Sequence, residues 1–197
     1  MEIAFDIDDV IMQSRLLLSD HMKKDYGVDA FNFPKFEIEI NGLTKDDVYN
    51  YVNQVLYDYH DEIEPCKNII EKIQELYEFR FYNPIHFITA RPEDKFRDIT
   101  EAWFNRYFGK SIKYEIEFRP FDKKVDLIKE RCIDVFVEDR LFNAKSIAPA
   151  VSAVFLVNYP WNLNKETPWN IIRVESTVEA IDKFMGAEST NTAKIDF

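Results

Sequence analysis

Short apolar segments that alternate with helix-like segments constrain the fold of this chain more than any other feature of its sequence. The apolar segments are, in chain order, EIAFDIDDVIM, PIHFIT, KYEIEF, IDVFVED and AVSAVFLV. Between the later ones, apolar residues recur at helical spacing over about residues 65–77, 93–108, 123–131 and 142–147. Such alternation with nearly continuous apolar strands is typical of a parallel sheet covered by helices on both faces. We therefore predict an α/β fold with a doubly wound, Rossmann-like parallel sheet.

A mainly helical block of residues 12–64 interrupts this alternation after the first strand. The spacing of its residues predicts a helix from about Ser14 to Tyr26, with Gly27 as its natural stop. Thr44, followed three residues later by Asp47, predicts the N-cap of a second helix. We predict that the block is a small helical cap inserted into a core of residues 1–11 and 65–185. Residues 186–197 lack a core-forming pattern and are predicted to form a mobile tail.

The charge balance and the missing motifs exclude several classes of protein. Thirty-six acidic residues against 25 Lys and Arg give a formal net charge of −11, so the long-range field repels long nucleic acid. A small phosphorylated substrate is compatible with this charge where a bound cation locally reverses the field. The four glycines form no GxGxxG, GxxxxGK[ST] or GxSxG motif, and the three histidines form no HExxH motif. A histidine-built zinc site is therefore not expected.

The cysteines and the apolar runs indicate where such a protein works. Cys66 and Cys132 are far apart and form no CxxC pair, which fits a reducing environment. The first residues carry acidic side chains where a secretory signal is basic, and the longest apolar stretch, near residues 150–157, is too short to span a bilayer. We predict a cytoplasmic protein that does not associate with membranes.

Polar side chains follow the predicted strands at the edge where ligands bind in open α/β sheets. These are Asp6, Asp8 and Asp9 after the first strand, Thr89 and Arg91 after the second, and Glu138 and Asp139 after the fourth. Carboxylates at the ends of two apolar strands repel one another unless they share a proton or a cation. Magnesium is the simplest cation for such a site, because it prefers oxygen ligands and leaves positions for water and phosphate.

Four motifs occur in order along the chain: FDIDDV, FITAR, FDKK and FVEDR. They resemble the motifs of the haloacid dehalogenase (HAD) superfamily of phosphotransferases, and the agreement runs from residue 3 to about residue 160. The IEP segment before ITARP, and VEDR followed by Asn143, look most like the 5'(3')-deoxyribonucleotidase branch. The resemblance implies an HAD-type fold with a helical cap between the first two motifs. It also implies that NYPWN, at residues 158–162, lies beside the site.

The resemblance also implies roles for individual residues. Asp6 is the implied nucleophile, which forms an aspartyl-phosphate. Asp8 is the implied acid that protonates the leaving group and the base that later activates water. The implied magnesium ligands are the Asp6 side chain, the Asp8 backbone carbonyl and the Asp139 side chain, with Glu138 as the alternative to Asp139. The sequence departs from the commoner forms of these motifs at Asp9, where glycine is frequent, and at Glu138, where aspartate is frequent.

The implied substrate contacts come from the second and third motifs. Thr89 is expected to bind a phosphate oxygen through its hydroxyl group, with the adjacent amide of Ala90. A lysine neutralises the transferred group in the family, and spacing favours Lys124 over Lys123. Arg91 and Arg140 are further candidates for contacting the substrate.

Three functions remain open from the sequence. The first is a magnesium-dependent phosphomonoesterase acting on nucleoside or deoxynucleoside monophosphates. The second is a phosphatase for another small metabolite, such as a sugar phosphate, and the third is a catalytically silent module that binds a nucleotide or a metal. In each case the expected partner is a small molecule. The aromatic residues of the block either face the substrate or form the block's own core; they are Phe31, Phe33, Phe36, Tyr57 and Tyr59.

Overall fold

The computed structural model of the protein describes residues 1–163 and 165–192. One parallel sheet of six strands runs through this part of the chain in the order β3-β2-β1-β4-β5-β6. Its strands are β1 (Ile3–Phe5), β2 (Ile85–Thr89), β3 (Tyr114–Phe118), β4 (Val135–Glu138), β5 (Ala153–Val157) and β6 (Ile171–Val174). The order reverses at β1, whose neighbours are β2 on one side and β4 on the other. A reversal of this kind opens a crevice at the carboxyl ends of the strands.

Helices cover both faces of the sheet, as the doubly wound prediction requires. They are α1 (Ser14–Tyr26), α2 (Lys45–Asp58), α3 (Ile69–Phe79), α4 (Glu93–Tyr107), α5 (Phe121–Glu130), α6 (Leu141–Ile147) and α7 (Thr177–Thr192). Phe5 lies in the hydrophobic cluster that contains residues of α3, α4 and α7. Its neighbour Ala4 lies in the cluster that contains residues of α5 and α6. Because successive strand residues face opposite sides, β1 contributes to both clusters, as do β2, β4, β5 and β6. The predicted fold class is confirmed.

Helices α1 and α2 share a smaller hydrophobic cluster of their own. Its buried members are Leu18, Met22, Ala30, Ile40, Val48 and Val55. Gly27 ends α1 in the left-handed conformation, with φ of 68°, and Thr44 and Asp47 form a capping box at the start of α2. Both predicted helix ends are thus confirmed. The division into a core and a cap at residues 12 and 64 stays a prediction.

Two parts of the chain differ from the prediction. Helix α3 begins at Ile69 and not near residue 65, because Asn68 adopts a left-handed conformation with φ of 59°. Strand β6 and helix α7 were not predicted, and α7 continues past Gly186 to Thr192, so residues 186–192 are helical. This helix is anchored by Ile181 and Phe184, which pack in the main core. Residues 193–197 lie outside the described residues, and the mobility of the 186–197 segment stays a prediction.

No helix within the described ranges is long and apolar enough to cross a membrane.

The capping box at Thr44 gives a test of the fold of the inserted block. We expect Thr44→Ala to lower the free energy of unfolding by about 1 kcal/mol, because the amide of Asp47 loses its acceptor. Thr44→Ser keeps a hydroxyl group and should stay within about 0.5 kcal/mol of the wild type. Urea unfolding followed by far-UV circular dichroism measures both changes. An unchanged midpoint for Thr44→Ala would mean that the box does not stabilise the block.

Candidate active site

Three buried carboxylates meet at the carboxyl ends of β1 and β4. Asp6 directly follows β1, Glu138 ends β4, and Asp139 comes next in the chain. The two strands are adjacent and in register, with Phe5 opposite Val137, which brings the three acids to one point. One carboxylate oxygen from each lies within 4.8 Å of the others, and the residues are 8%, 0% and 3% exposed. The sequence predicted this meeting from the strand ends alone.

Lys124 is the cation that contacts this cluster. Its side chain is completely buried, and its Nζ lies 2.8 Å from Asp6 Oδ1 and 3.5 Å from Glu138 Oε2. The neighbouring Lys123 is exposed on α5, because successive helix residues point about 100° apart. The structure therefore brings Lys124, and not Lys123, to Asp6.

Glu138 uses its carboxylate to shape the loop that follows β4. Its Oε1 accepts hydrogen bonds from the backbone amides of Asp139 and Arg140, at 3.3 and 3.2 Å, and from Asn143 Nδ2 at 3.3 Å. Its Oε2 faces Lys124. These contacts occupy Glu138, which does not line the adjoining cavity, whereas Asp139 does.

The NYPWN segment holds Asp139 from the other side. The indole Nε1 of Trp161 donates to Asp139 Oδ2 at 3.1 Å, and Asn162 Nδ2 donates to the Asp139 carbonyl at 2.6 Å. Asn162 also donates to the carbonyl of Val157, the last residue of β5, at 2.7 Å. The resemblance placed this segment beside the site but did not identify these two donors, whose only sequence signal is their position just after a strand.

The electrostatics of the cluster show too little positive charge for its acids. Burial raises the pKa of Asp6 to about 7, and Lys124 opposes that shift. Burial, and then Glu138, raise the pKa of Asp139 well above its ordinary range. Among the residues described, Asn143 Oδ1 is a buried oxygen without a hydrogen-bond partner, and Asn143 lines the same cavity. Buried acids of this kind need a shared proton or a cation.

Asp8 lies beside the cluster and is held by Arg91. The guanidinium donates from Nε to Asp8 Oδ2 at 2.9 Å and from Nη2 to Oδ1 at 2.5 Å, and the Ser14 hydroxyl group also donates to Oδ1. Burial acts to raise the pKa of Asp8, but Arg91 and Ser14 hold it below its ordinary value. The sequence placed Arg91 against the substrate, whereas here it binds a protein carboxylate.

The departure from the usual motif at Asp9 has a local explanation. Asp9 has φ of 56°, a conformation that favours glycine but that aspartate tolerates better than most residues. Its Oδ1 accepts the backbone amide of Arg15 at 2.9 Å, in the first turn of α1, and its carbonyl accepts the Tyr159 hydroxyl group at 2.9 Å. The Asp9 carboxylate therefore binds the first turn of α1, the first helix of the inserted block.

The predicted phosphate contacts lie at the same edge. Thr89 ends β2 and is 1% exposed, and its Oγ1 accepts the backbone amide of Arg91 at 3.2 Å. Ala90 is exposed and lines the cavity together with Thr89. Arg140 lines the cavity, and its Nη2 also forms an ion pair with Glu37 of the inserted block at 2.6 Å.

A cavity of about 280 Å³ covers these groups and is closed on one side by the inserted block. The block supplies eight residues to its wall: Ser14, Arg15, Leu18, Phe36, Tyr49, Val52, Asn53 and Leu56. A second cavity, of about 430 Å³, shares six lining residues with the first: Arg15, Leu18, Phe36, Tyr49, Val52 and Arg140. Of the five aromatic residues considered from the sequence, Phe36 faces the cavity, while Phe31 packs on Tyr159 and Trp161 and Tyr57 packs on Phe96.

No model of a protein family matches the chain. The chain is 31% identical over 144 residues to the candidate nucleotidase YqfW of Bacillus subtilis (strain 168), which covers 71% of this chain and 69% of that protein. It is 26% identical over 141 residues to the candidate nucleotidase BH1399 of Halalkalibacterium halodurans, which covers 71% and 68%.

Solved structures show the same fold at low sequence identity. A candidate phosphoglycolate phosphatase from Lactobacillus plantarum matches with a TM-score of 0.60 at 13% identity, over 92% of this chain and 97% of that one. An HAD hydrolase of family IA, variant 3, from Entamoeba histolytica matches with a TM-score of 0.54 at 12% identity, over 94% and 100%. The identity to YqfW over more than two thirds of both proteins shows the family to which the chain belongs, the HAD superfamily, and the chain is an enzyme of its phosphatase class.

Proposed function

We propose that the protein is a magnesium-dependent phosphatase of nucleoside or deoxynucleoside monophosphates, which works through an aspartyl-phosphate on Asp6. The observation that carries this proposal is the buried ion pair of Asp6 and Lys124, in which Asp6 lines a cavity together with further acids. The names of YqfW and BH1399 as candidate nucleotidases support the substrate class. We place the activity in the cytoplasm, since Cys66 and Cys132 are free thiols.

Asp6 and Lys124 divide the first chemical step between them. In the proposed step a carboxylate oxygen of Asp6 attacks phosphorus, the bond from phosphorus to the ester oxygen breaks, and the phosphoryl group is carried on Asp6. Lys124 is tied to Asp6 at 2.8 Å, so it orients the carboxylate and balances negative charge as the phosphoryl group arrives. Thr89 and the amide of Ala90 are proposed to bind the phosphate oxygens.

Asp8 handles the proton in both halves of the proposed reaction. It gives a proton to the departing ester oxygen, which leaves as an alcohol, and then takes a proton from the water that attacks the aspartyl-phosphate. This second attack releases inorganic phosphate and restores the Asp6 carboxylate. The contact with Arg91 favours the carboxylate form of Asp8, which is the form that accepts the proton from water.

The residues present fit a magnesium ion. Asp6 and Asp139 would hold it through carboxylate oxygens and Asp8 through its backbone carbonyl, while Glu138 is occupied by the loop amides. The raised pKa values of Asp6 and Asp139 and the unpartnered Asn143 Oδ1, a buried oxygen in the described structure, support a site made for a cation and its water. When bound, magnesium supplies positive charge that offsets both the acids and the phosphate.

The cavity walls support a leaving group with a flat apolar part. Phe36, Tyr49 and Val52 line both of the adjoining cavities. They give a bound nucleoside an apolar surface that continues beyond the part of the first cavity proposed to hold the phosphate group. A sugar phosphate, the substrate of the second hypothesis, would make fewer apolar contacts with these walls.

A substrate panel tests the proposed function. We expect phosphate release in the presence of magnesium to be fastest, as kcat/KM, for nucleoside or deoxynucleoside monophosphates, and slower for sugar phosphates. A preference for a sugar phosphate would favour the second hypothesis. Absence of turnover with every phosphomonoester between about pH 5 and 8 would favour the binding module.

The nucleophile is tested by Asp6→Asn, with the exposed Asp126→Asn as a matched control. We expect Asp6→Asn to lower kcat to below about 1% of the wild type, because an amide is a poor nucleophile. Asp126→Asn should keep the wild-type rate, since Asp126 lies on the outer face of α5. If a folded Asp6→Asn enzyme kept more than a few per cent of activity, another residue would be the nucleophile.

Two pairs of variants test the surrounding charges. Lys124→Met should reduce kcat about 100-fold or more, because the charge beside Asp6 is lost, whereas Lys123→Met should change it less than about twofold. Asp139→Asn should raise the half-saturating magnesium concentration about tenfold or more. Rates measured across a magnesium titration report both effects. An unchanged magnesium requirement for Asp139→Asn would move the ligand role to Glu138.

A further inference from the structure

The guanidinium group of Arg91 is surrounded by protein acceptors. Besides its two contacts with Asp8, its Nη1 lies 2.6 Å from His60 Nε2 and 3.2 Å from Thr100 Oγ1, and its Nη2 lies 3.2 Å from Ser14 Oγ. An arginine carries five N–H donors, and these five contacts account for all of them. The side chain is 5% exposed. In this arrangement Arg91 keeps no donor for a substrate phosphate.

His60 is the partner that sequence reasoning passed over. It starts a short 3-10 turn, His60–Glu62, at the end of the inserted block, and is 3% exposed. Because arginine can only donate, His60 Nε2 must be the unprotonated nitrogen of a neutral ring. Burial, and then the charge of Arg91, lower the pKa of His60 to about 3, which keeps that nitrogen an acceptor.

Both chain connections between the inserted block and the core reach this network. Ser14, the first residue of α1, donates to Asp8, and His60, near the other end of the block, accepts from Arg91. Thr100 of α4 completes the set from the core, with its side chain buried. One end of the block therefore contacts Asp8 directly through Ser14, and the other end reaches it through His60 and Arg91.

We propose that Arg91 is a positioning residue that holds the Asp8 carboxylate in place, and that His60 fixes the guanidinium so that the inserted block helps to orient Asp8. This inference rests on the proposed function, in which Asp8 transfers the proton. It replaces the substrate contact expected for Arg91 from the sequence. Ser14 assists from the opposite end of the block.

The inference separates two kinds of substrate. An alkoxide leaving group, as in a nucleotide, needs a proton as it departs, whereas a nitrophenolate leaves without one. Misplacing Asp8 should therefore slow the release of a nucleoside far more than the release of nitrophenolate. A lost substrate contact would instead weaken the binding of both, together with that of inorganic phosphate.

The test uses the full-length protein with Arg91→Lys, His60→Leu and His60→Gln. Lysine keeps the charge but cannot reproduce the two-pronged contact with Asp8, and glutamine keeps an acceptor where leucine has none. Leaving-group release is measured in the first turnover with a deoxynucleoside monophosphate and with p-nitrophenyl phosphate, alongside the inhibition constant of inorganic phosphate. Circular dichroism checks that each variant is folded.

We expect Arg91→Lys and His60→Leu to slow nucleoside release about tenfold or more, with nitrophenolate release and phosphate inhibition within about threefold of the wild type. His60→Gln should recover most of the loss. Equal losses for both substrates with weakened phosphate inhibition would overturn the inference and return Arg91 to a substrate contact. Equal losses for His60→Gln and His60→Leu would overturn the part assigned to His60. A wild-type protein without activity on either substrate would instead refute the proposed function, and the inference with it.

Discussion

The confinement of three carboxylates around one buried lysine is the constraint on which the rest of the site depends. Parallel pairing of β1 with β4 places Asp6, Glu138 and Asp139 together, and burial removes the water that would otherwise separate their charges. The surrounding structure is organised to hold them: loop amides bind Glu138, and the segment after β5 binds Asp139. Leaving a buried charge without a partner costs about 3–5 kcal/mol, so this arrangement is stable only when its charge is balanced.

Another buried cation, Arg15, holds the long loop of the inserted block in place. Its guanidinium donates to the backbone carbonyls of Ala30, Lys35 and Phe36, which lie in the long loop between α1 and α2. Arg15 also lies over the ring of Trp161, 4.6 Å from its centroid, and so connects this loop to the segment that holds Asp139. The same loop brings Phe36 into the cavity wall. Arg15 thus links the part of the cavity wall that is proposed to select the substrate to the segment that holds Asp139.

Local patterns in the sequence predicted the elements and the edge where the site forms. Gly27 and the Thr44 capping box were predictable because their signals lie within a few neighbouring residues. Strand β6 was missed because a four-residue strand with one exposed isoleucine carries little pattern. The contacts of Arg91 with His60 and of Trp161 with Asp139 join residues 31 and 22 positions apart. Such pairings depend on tertiary packing, which periodicity does not report.

Direct titration of magnesium into the substrate-free protein by isothermal calorimetry tests whether the buried acids form a cation site. We predict saturable binding of one magnesium ion per chain, with strongly weakened binding when Asp6 or Asp139 is replaced by asparagine and unchanged binding for Asp126→Asn. A wild-type protein that binds no magnesium at concentrations that support phosphate release would contradict a cation site at these acids. Magnesium binding that survives the loss of both Asp6 and Asp139 would contradict it as well.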